Sequence, residues 1–468
     1  MFEKLPPLFL ERVKKILNET EFEAYRESFE KTFMPSLRIN SLKINEEDFF
    51  TFFSKPEKKV SWAENSFFID RKSVFTKTPF YHAGLFYIQE ASSMLPAEIL
   101  DPKPGEIVLD ACASPGSKTT QMIAKMKNQG LLVANEFQHD RVGRLIENVS
   151  RWGAKNTIIT HQPTYTFSSL HHFFDKILID APCSGEGMFR KDEEAVRCWS
   201  LSNVKSCSST QKKILRDLIP ALKPGGTLVY STCTLAPEEN EENVDWILKT
   251  YPGLFELKEI HFGKPGITEF EKNQYSQEVK KTRRILPQAE DSEAFFVAKL
   301  VKKEEKKETI SSLSRKNAFI RQPNKNLVRS FQEELKIKNL ENLFQIGYRI
   351  YSWGNLDENT VLPVLPLIRP VYLGILAGCE KKNRIEPEYP LALSFLKEEL
   401  ENILSIELDE ENTVQYLRGA ELKTDNLTKI PSKEGFQIIT YQGYPIGWGK
   451  LKEKKIKNLF PHNLRNKI

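Results

Sequence analysis

Two short segments place thiols where covalent chemistry can be done. Asp180-Ala-Pro-Cys183-Ser-Gly-Glu-Gly187 follows an apolar run at 176–180, and Tyr230-Ser-Thr-Cys233-Thr234 follows another at 226–230. A thiolate is a strong nucleophile that splits one hard step into two easier ones through a covalent intermediate. A lone cysteine is more often a small buried hydrophobe. Two cysteines at equivalent ends of two apolar runs form a narrower pattern. Upstream of both lies a further chemical segment, Asp110 to Thr120.

That segment follows an apolar run and opens a helical one. Gly116 lets backbone pass close to a ligand, and a helix start offers unpaired N–H groups. A phosphate-binding P-loop needs Gly, four residues, then Gly-Lys-Ser/Thr. Here Ser117 precedes Lys118 and no glycine stands five residues before it. A dinucleotide GxGxxG is also missing. A ligand with a ribose and an amino-acid end but no phosphate fits better, which points to S-adenosylmethionine. Glu136 closes the next apolar run, 26 residues after Asp110. A carboxylate there can accept both ribose hydroxyls, as in the dinucleotide folds. The bland alternative for Glu136 is a surface acid at a strand end. Arg141, one helical turn on, orients Glu136, binds substrate or makes a structural ion pair.

The elements that must position these groups alternate. Residues 106–110, 131–136, 157–160, 176–180, 226–231 and 294–301 read as strands. Residues 116–126, 140–152, 210–222 and 238–249 read as helices. Strand-helix alternation implies a parallel sheet covered on both faces, a doubly wound α/β layer. Sites in such sheets lie beyond the carboxyl ends of the strands, where both cysteines, Asp110 and Glu136 fall. The charge run 302–307, followed by Ser311, Ser312 and Ser314, reads as a solvated linker closing this block.

A chain of 468 residues exceeds one hydrophobic core of ~250–300 residues, so several domains are expected. Apolar content is ordinary at 40%, and a net charge of +5 suits an anionic partner without requiring one. No apolar run reaches the ~18–20 residues that span a bilayer. The start, with Pro6 and Pro7 between acids, resembles neither a signal nor a transit peptide, so a cytoplasmic location is expected. Six cysteines are too few for a disulfide scaffold. None forms CxxC, so no structural zinc site or other metal is expected.

Taken together, the motifs resemble the NOL1/NOP2/Sun family of RNA cytosine-5 methyltransferases, in its bacterial 16S ribosomal RNA (RsmB/F-like) branch. The matching landmarks are Arg38-Ile-Asn40, Tyr87-Ile-Gln-Glu-Ala-Ser-Ser93, the loop 112–118, Asp180 to Cys183, and Ser231-Thr-Cys233. Arg284, Leu286, Pro287, Phe295 and Phe296 close the core as in that family. The likeness is strong over about residues 1–300. It is weaker to the end, where Gly443 to Arg465 is similar to the branch's PUA-like RNA-binding tail.

The resemblance implies a Rossmann-like methyltransferase core at 96–302 behind an N-terminal α/β RNA-binding extension at 1–95. It also implies a linker with a small α+β domain at 303–395 and a PUA-like domain at 396–468. S-adenosylmethionine would be held by Cys112, Ala113, Ser114, Pro115, Gly116, Ser117, Lys118, Glu136, Arg141, Pro163 and Asp180. Cys233 would attack carbon 6 of cytosine, and Cys183 would assist release. Asp180 would hydrogen-bond the ring N3 or the cofactor's amino end. A free thiol has a pKa of about 8.5, so the thiolate needs help, and Lys118 and Lys191 are the candidate cations.

The expected partner is 16S ribosomal RNA or the small ribosomal subunit, met by a monomer without a membrane. The target base must be splayed out of its stack to be reached. Lys450, Lys452, Lys454, Lys455, Lys457, Arg465 and Lys467 would bind phosphate, with Tyr444, Trp448 and Phe460 stacking on bases.

The chain departs from the family in four places. Ser117 is a tolerated variant. Thr160-His-Gln-Pro163 stands where an Asp near the adenine is usual, and Gln162 or a backbone N–H would replace it. Gln288 and Ala294 stand for His and Gly, away from the expected chemistry. Two other functions compete. A DNA cytosine-5 methyltransferase would use the Pro-Cys cysteine followed by Gln, whereas Ser184 follows here. A non-catalytic ribosome-assembly factor would have no use for two cysteines.

Overall fold

In a computed structural model, the structure describes residues 2–31, 34–56, 58–70, 72, 75–304, 320–337, 340, 342–427 and 430–467. The N-terminal part packs helices Pro7–Ile16 and Glu19–Ser28 beside a three-stranded antiparallel sheet. Its central strand β1 (Ser36–Ile39) lies between β2 (Ser66–Phe68) and β3 (Phe86–Ile88).

The central sheet is built from β4 (Ile107–Asp110), β5 (Leu131–Asn135), β6 (Thr157–Thr160), β7 (Phe174–Asp180) and β8 (Leu222–Thr232). They lie parallel in the order β8-β7-β4-β5-β6. Strand Phe295–Lys302 adds antiparallel to β8. The strands are near-continuous apolar runs because helices cover both faces of a parallel sheet. The strand order reverses at β4, so a crevice opens at the carboxyl ends of β4 and β7, where ligands bind in such folds. The core is thus the Rossmann-like α/β layer expected.

Local signals set the elements. Helix His139–Trp152 stops at Gly153, whose φ of 80° continues the chain without Cβ strain. Helix Leu201–Leu218 begins at Ser200, whose side chain accepts from the Asn203 N–H. The sequence placed that helix at 210–222. It starts earlier because Val204, Ser208 and Gln211 continue its buried face, overriding the weak helix preference of a Cys-Ser-Ser-Thr run. It ends where Ile219-Pro220 begins a tighter turn.

Beyond the core, strand Pro370–Leu373 pairs antiparallel with β6 and so joins the central sheet. A separate four-stranded sheet runs from Leu343–Ile346 to Arg384–Pro387. The tail folds as a five-stranded sheet around Gly435–Tyr441 and Tyr444–Lys452. Leu37, Phe49 and Phe86 share one apolar cluster with Ile406, Tyr416 and Ile446, so the tail packs on the N-terminal sheet.

Two expectations need correction. Lys302 ends a strand and is buried, with its Nζ donating to the Leu222 carbonyl at 3.2 Å. It is therefore not part of a solvated linker, and residues 305–319 of that linker lie outside the described residues. Tyr444, Trp448 and Phe460 are at most 6% exposed. Trp448 donates its indole N–H to the Glu388 carbonyl at 2.9 Å, and Phe460 packs against the Tyr416 ring. These rings fill cores between elements and cannot stack on bases. The expected phosphate contacts fall on the tail's charged rim, where Lys452, Lys454, Lys455 and Lys457 are exposed.

Candidate active site

The two cysteine motifs leave adjacent strands in register. Asp180 pairs with Ser231 across β7 and β8, so Cys183, three residues after Asp180, comes beside Cys233, two residues after Ser231. Their sulfurs are 3.2 Å apart. The loops are tied together on both sides. The Ser184 and Thr234 hydroxyls meet at 2.8 Å, and the Gly187 N–H donates to the Cys233 carbonyl at 2.9 Å. A Cβ on Gly187 would lie 2.2 Å from the Ala294 carbonyl oxygen and 2.9 Å from that of Cys233. Ala294, expected to stand clear of the chemistry, therefore abuts the cysteine loops.

Lys118 reaches this pair from the first turn of helix Ser117–Lys125. Its Nζ donates to Asp180 Oδ2 at 2.8 Å, and Ser231 Oγ donates to Asp180 Oδ1 at 2.9 Å. Burial works to lower the Lys118 pKa, but the Asp180 carboxylate outweighs it and raises the value, with Cys233 adding the same sign. The Cys183 thiol is pushed well above the usual range by its hydrogen bond to Cys233 and then by burial. Of the two lysines expected to help a thiolate, Lys118 acts on Cys233, whereas Lys191 is exposed and acts on Glu293.

The loop 112–118 runs from β4 to that helix, through a cis Ser114–Pro115 bond and Gly116 at φ 104°. A Cβ on Gly116 would press on Leu145 Cδ1 at 3.2 Å. Asp110 is 1% exposed. Its Oδ2 accepts from Thr119 Oγ1 at 2.7 Å, while its buried Oδ1 has no protein partner. Burial pushes its pKa up to about 7, and the charge of Asp180 adds to the effect. Burial likewise raises Cys112, helped by Asp110, Asp180 and Glu136.

Glu136 follows β5 and accepts from the Gln138 N–H at 2.8 Å. Arg141 bridges Glu136 and the loop, lying 3.6 Å from Glu136 Oε2 and donating to the Ser114 carbonyl at 2.7 Å. Pro163 precedes the turn Thr164–Ser169. Asn135 ties this segment to the β4 loop. It donates to the carbonyls of Ala111 and Gln162, and accepts from the Gln162 N–H at 3.0 Å.

These residues fit S-adenosylmethionine better than a phosphate ligand. Asp180 and Glu136 both act on Asp110, and all three acids act on Cys112. Such a field repels phosphate and attracts a ligand bearing ammonium and sulfonium charges. Asp110 also keeps an unused buried acceptor, which a native interior seldom leaves without a partner.

Sequence reasoning missed the residues that brace this arrangement. Arg38, noted only as a landmark, donates to the Ser117 carbonyl at 3.0 Å, Thr120 Oγ1 at 2.8 Å and Gln89 Oε1 at 3.1 Å. It thereby fastens the N-terminal sheet to the cofactor-loop helix. Arg284 and Glu241 form a fully buried pair, and Arg284 also donates to the Leu235 carbonyl just after Cys233. Arg284, noted only as a landmark, follows Lys280, Lys281 and Arg283, and Glu241 stands among Glu238, Glu239 and Glu242, so the sequence does not single out their pairing.

Comparison with known proteins agrees. Residues 97–301 match the family described as 16S rRNA methyltransferase RsmB/F. Residues 5–91 match the N-terminal domain of 16S rRNA methyltransferase RsmF, and 403–466 match the methyltransferase RsmF PUA domain. The chain is 35% identical to ribosomal RNA small subunit methyltransferase F of Shewanella loihica, over 94% of this chain and 90% of that one. It is 41% identical to the tRNA (cytosine(49)-C(5))-methyltransferase of Pyrococcus abyssi, over 64% of this chain and 97% of that one. A crystal structure of a methyltransferase homologue from Pyrococcus horikoshii superposes with a TM-score of 0.57 at 37% identity, covering 63% of this chain and 94% of that one. Near-full-length identity above 30%, together with a Rossmann-like core and matches to all three regions, places the chain in the RsmB/F family of S-adenosylmethionine-dependent 16S rRNA methyltransferases.

Proposed function

We propose that this chain methylates carbon 5 of a cytosine in 16S ribosomal RNA, with Cys233 adding to carbon 6 and Cys183 assisting release. The observation that carries the reading is the 3.2 Å approach of the two sulfurs beside Lys118. The name of the Pyrococcus abyssi relative, a cytosine C5 enzyme, supports the position of attack. Carbon 5 of cytosine is a poor nucleophile until a thiolate adds at carbon 6 and turns the ring into an enamine.

The 112–118 loop, Asp110, Glu136, Arg141, Pro163 and Asp180 would hold S-adenosylmethionine, which would supply an electrophilic methyl group. Cys233 gives its electron pair to carbon 6, forming the S–C bond. Lys118 keeps positive charge near that sulfur while it is a thiolate. As carbon 6 is attacked, N3 takes up a proton from solvent, and the Asp180 carboxylate, steadied by Lys118 and Ser231, accepts a hydrogen bond from that N3–H. Once carbon 5 is methylated it still bears its own proton. Cys183 gives its own proton to solvent and, as thiolate, takes the carbon 5 proton; the C5–C6 double bond re-forms, N3 gives up its proton, and Cys233 leaves with the electron pair of the S–C bond.

The test uses the full chain with S-adenosylmethionine and 16S RNA, and 5-methylcytosine is the expected product. Cys183→Ala should accumulate a covalent protein–RNA adduct, and Cys233→Ala should form none. The opposite pattern would reverse the two roles. A protein that binds the cofactor yet methylates no RNA would be an assembly factor.

A further inference from the structure

Glu239 lies outside the chemistry described above, yet it is built into the loop of one cysteine. It is fully buried, and its Oε2 accepts from the Ser184 N–H at 3.0 Å, the amide just after Cys183. The same oxygen accepts from Gln211 Nε2 at 2.8 Å. Gln211 Nε2 also donates to the Pro182 carbonyl at 2.9 Å, just before Cys183. The peptide on each side of Cys183 is therefore held by one Glu–Gln pair. Asn243 fixes that pair from behind, donating to Gln211 Oε1 at 2.7 Å. Glu239 Oε1 is buried without a hydrogen-bond partner.

We infer that Glu239 is a positioning residue that decides which sulfur becomes the nucleophile, by clamping the Cys183 loop and setting a negative charge on the Cys183 side of the pair. This rests on the two-cysteine reading above and deepens it. The sulfurs are 3.2 Å apart, so like charges on both would repel strongly and the pair carries one thiolate first. The charges around it are unequal. Glu239 acts on Cys183 and disfavours a thiolate there, while Lys118 acts on Cys233 from the opposite loop. Charges placed in this way favour Cys233 as the nucleophile. The same carboxylate makes the Cys183 thiolate, once it forms, a stronger base for the carbon 5 proton.

Glu239 itself ionises near neutrality. Burial raises its pKa to about 7, its two hydrogen bonds oppose this, and the charge of Glu186 adds to it. The other titratable groups facing it are Cys183, Tyr230 and Cys207. Below the thiol pKa values, both thiolate fractions rise tenfold per pH unit, so their ratio changes only through neighbouring groups. Asp110 also ionises near 7 and faces Lys118, but it is common to wild type and variant and cancels between them.

The experiment is alkylation of the full chain with iodoacetamide, without RNA, with the rate at each cysteine read by peptide mass spectrometry across pH. Both cysteines are partly exposed to a small reagent. In the wild type, Cys233 should react faster than Cys183. Glu239→Gln keeps an oxygen for the Ser184 N–H but removes the charge. Its preference for Cys233 should fall about tenfold above pH 7, the factor one pKa unit is worth. Gln211→Met, which strips one donor from Glu239, should delay the rise of the preference to higher pH, and it serves if the first variant does not fold. A preference unmoved in the folded variants overturns the role of Glu239. That outcome is separate from the adduct test, since Cys233→Ala still trapping RNA would instead overturn the assignment of the nucleophile.

Discussion

Lys118 and Asp180 face each other at 2.8 Å beneath the cysteine pair, with Ser231 holding the second oxygen of Asp180. The two come from different strand ends, β4 and β7, on either side of the point where the sheet order reverses. The cation serves two neighbours, the carboxylate and the Cys233 sulfur.

Removing that cation should slow the first covalent step without emptying the cofactor site. Lys118→Met should lower single-turnover methyl transfer by about 10²–10³-fold, the usual cost of losing one preorganised electrostatic group. Cofactor affinity, measured by calorimetry, should change far less. Equal losses in both would show that Lys118 serves binding alone.

The buried Arg284–Glu241 pair should be costly to break. Both side chains are at most 1% exposed, and a buried charge left without its partner costs about 3–5 kcal/mol. Glu241→Ala should lose stability of that order in urea unfolding. Because Arg284 also holds the Leu235 carbonyl, the loop of Cys233 should loosen, seen as faster hydrogen exchange there.

Asp110 predicts a pH dependence of stability for the cofactor-free protein. Burial keeps it protonated up to about pH 7, whereas an aspartate in the unfolded chain ionises near 4. Between those values the folded chain binds the extra proton, so stability falls as pH rises and levels off above about 7. Glu239 and Glu293, also held up to about 7 by burial, contribute with the same sign. Asp110→Asn should remove one share. Its stability loss between about pH 4.5 and about pH 7.5 should be smaller than wild type by on the order of 2–4 kcal/mol. Parallel urea curves for the two proteins would contradict this.

The tail's exposed lysines should act through phosphate and not through base identity. Replacing Lys452, Lys454, Lys455 and Lys457 by alanine, all exposed, should weaken RNA binding at low salt. The slope of log affinity against log salt should shrink by about 0.7–0.9 for each phosphate no longer neutralised. A change in sequence preference with an unchanged slope would speak for base recognition instead.

The strands that carry the site were legible because a parallel sheet buried on both faces writes itself as apolar runs. β4, β6 and β7 fall within three residues of the expected bounds. From those runs, the meeting of Cys183 and Cys233 follows, since their strands pair in register. Glu239 was not legible. It sits among Glu238, Glu241 and Glu242, which read as the ordinary acids of a helix start, and only the fold brings it to the Ser184 amide. Tyr444, Trp448 and Phe460 misled for a related reason. Aromatic residues among lysines look like a stacking surface, but residues 444–449 are all buried, so Trp448 lies in the core, while Lys452 stands exposed at the end of the strand. The edge role of Pro370–Leu373 left no trace either, because strand pairing over more than two hundred residues has no local signature.

That edge strand bears on how the catalytic layer survives in solution. β6 would otherwise end the sheet with a bare row of amides and carbonyls, a template for joining a second molecule. Residues 370–373 close it from a segment lying after the last core strand. A chain shortened at 302 would keep every group of the chemistry but lay the β6 edge bare, and it should self-associate more readily than the full chain.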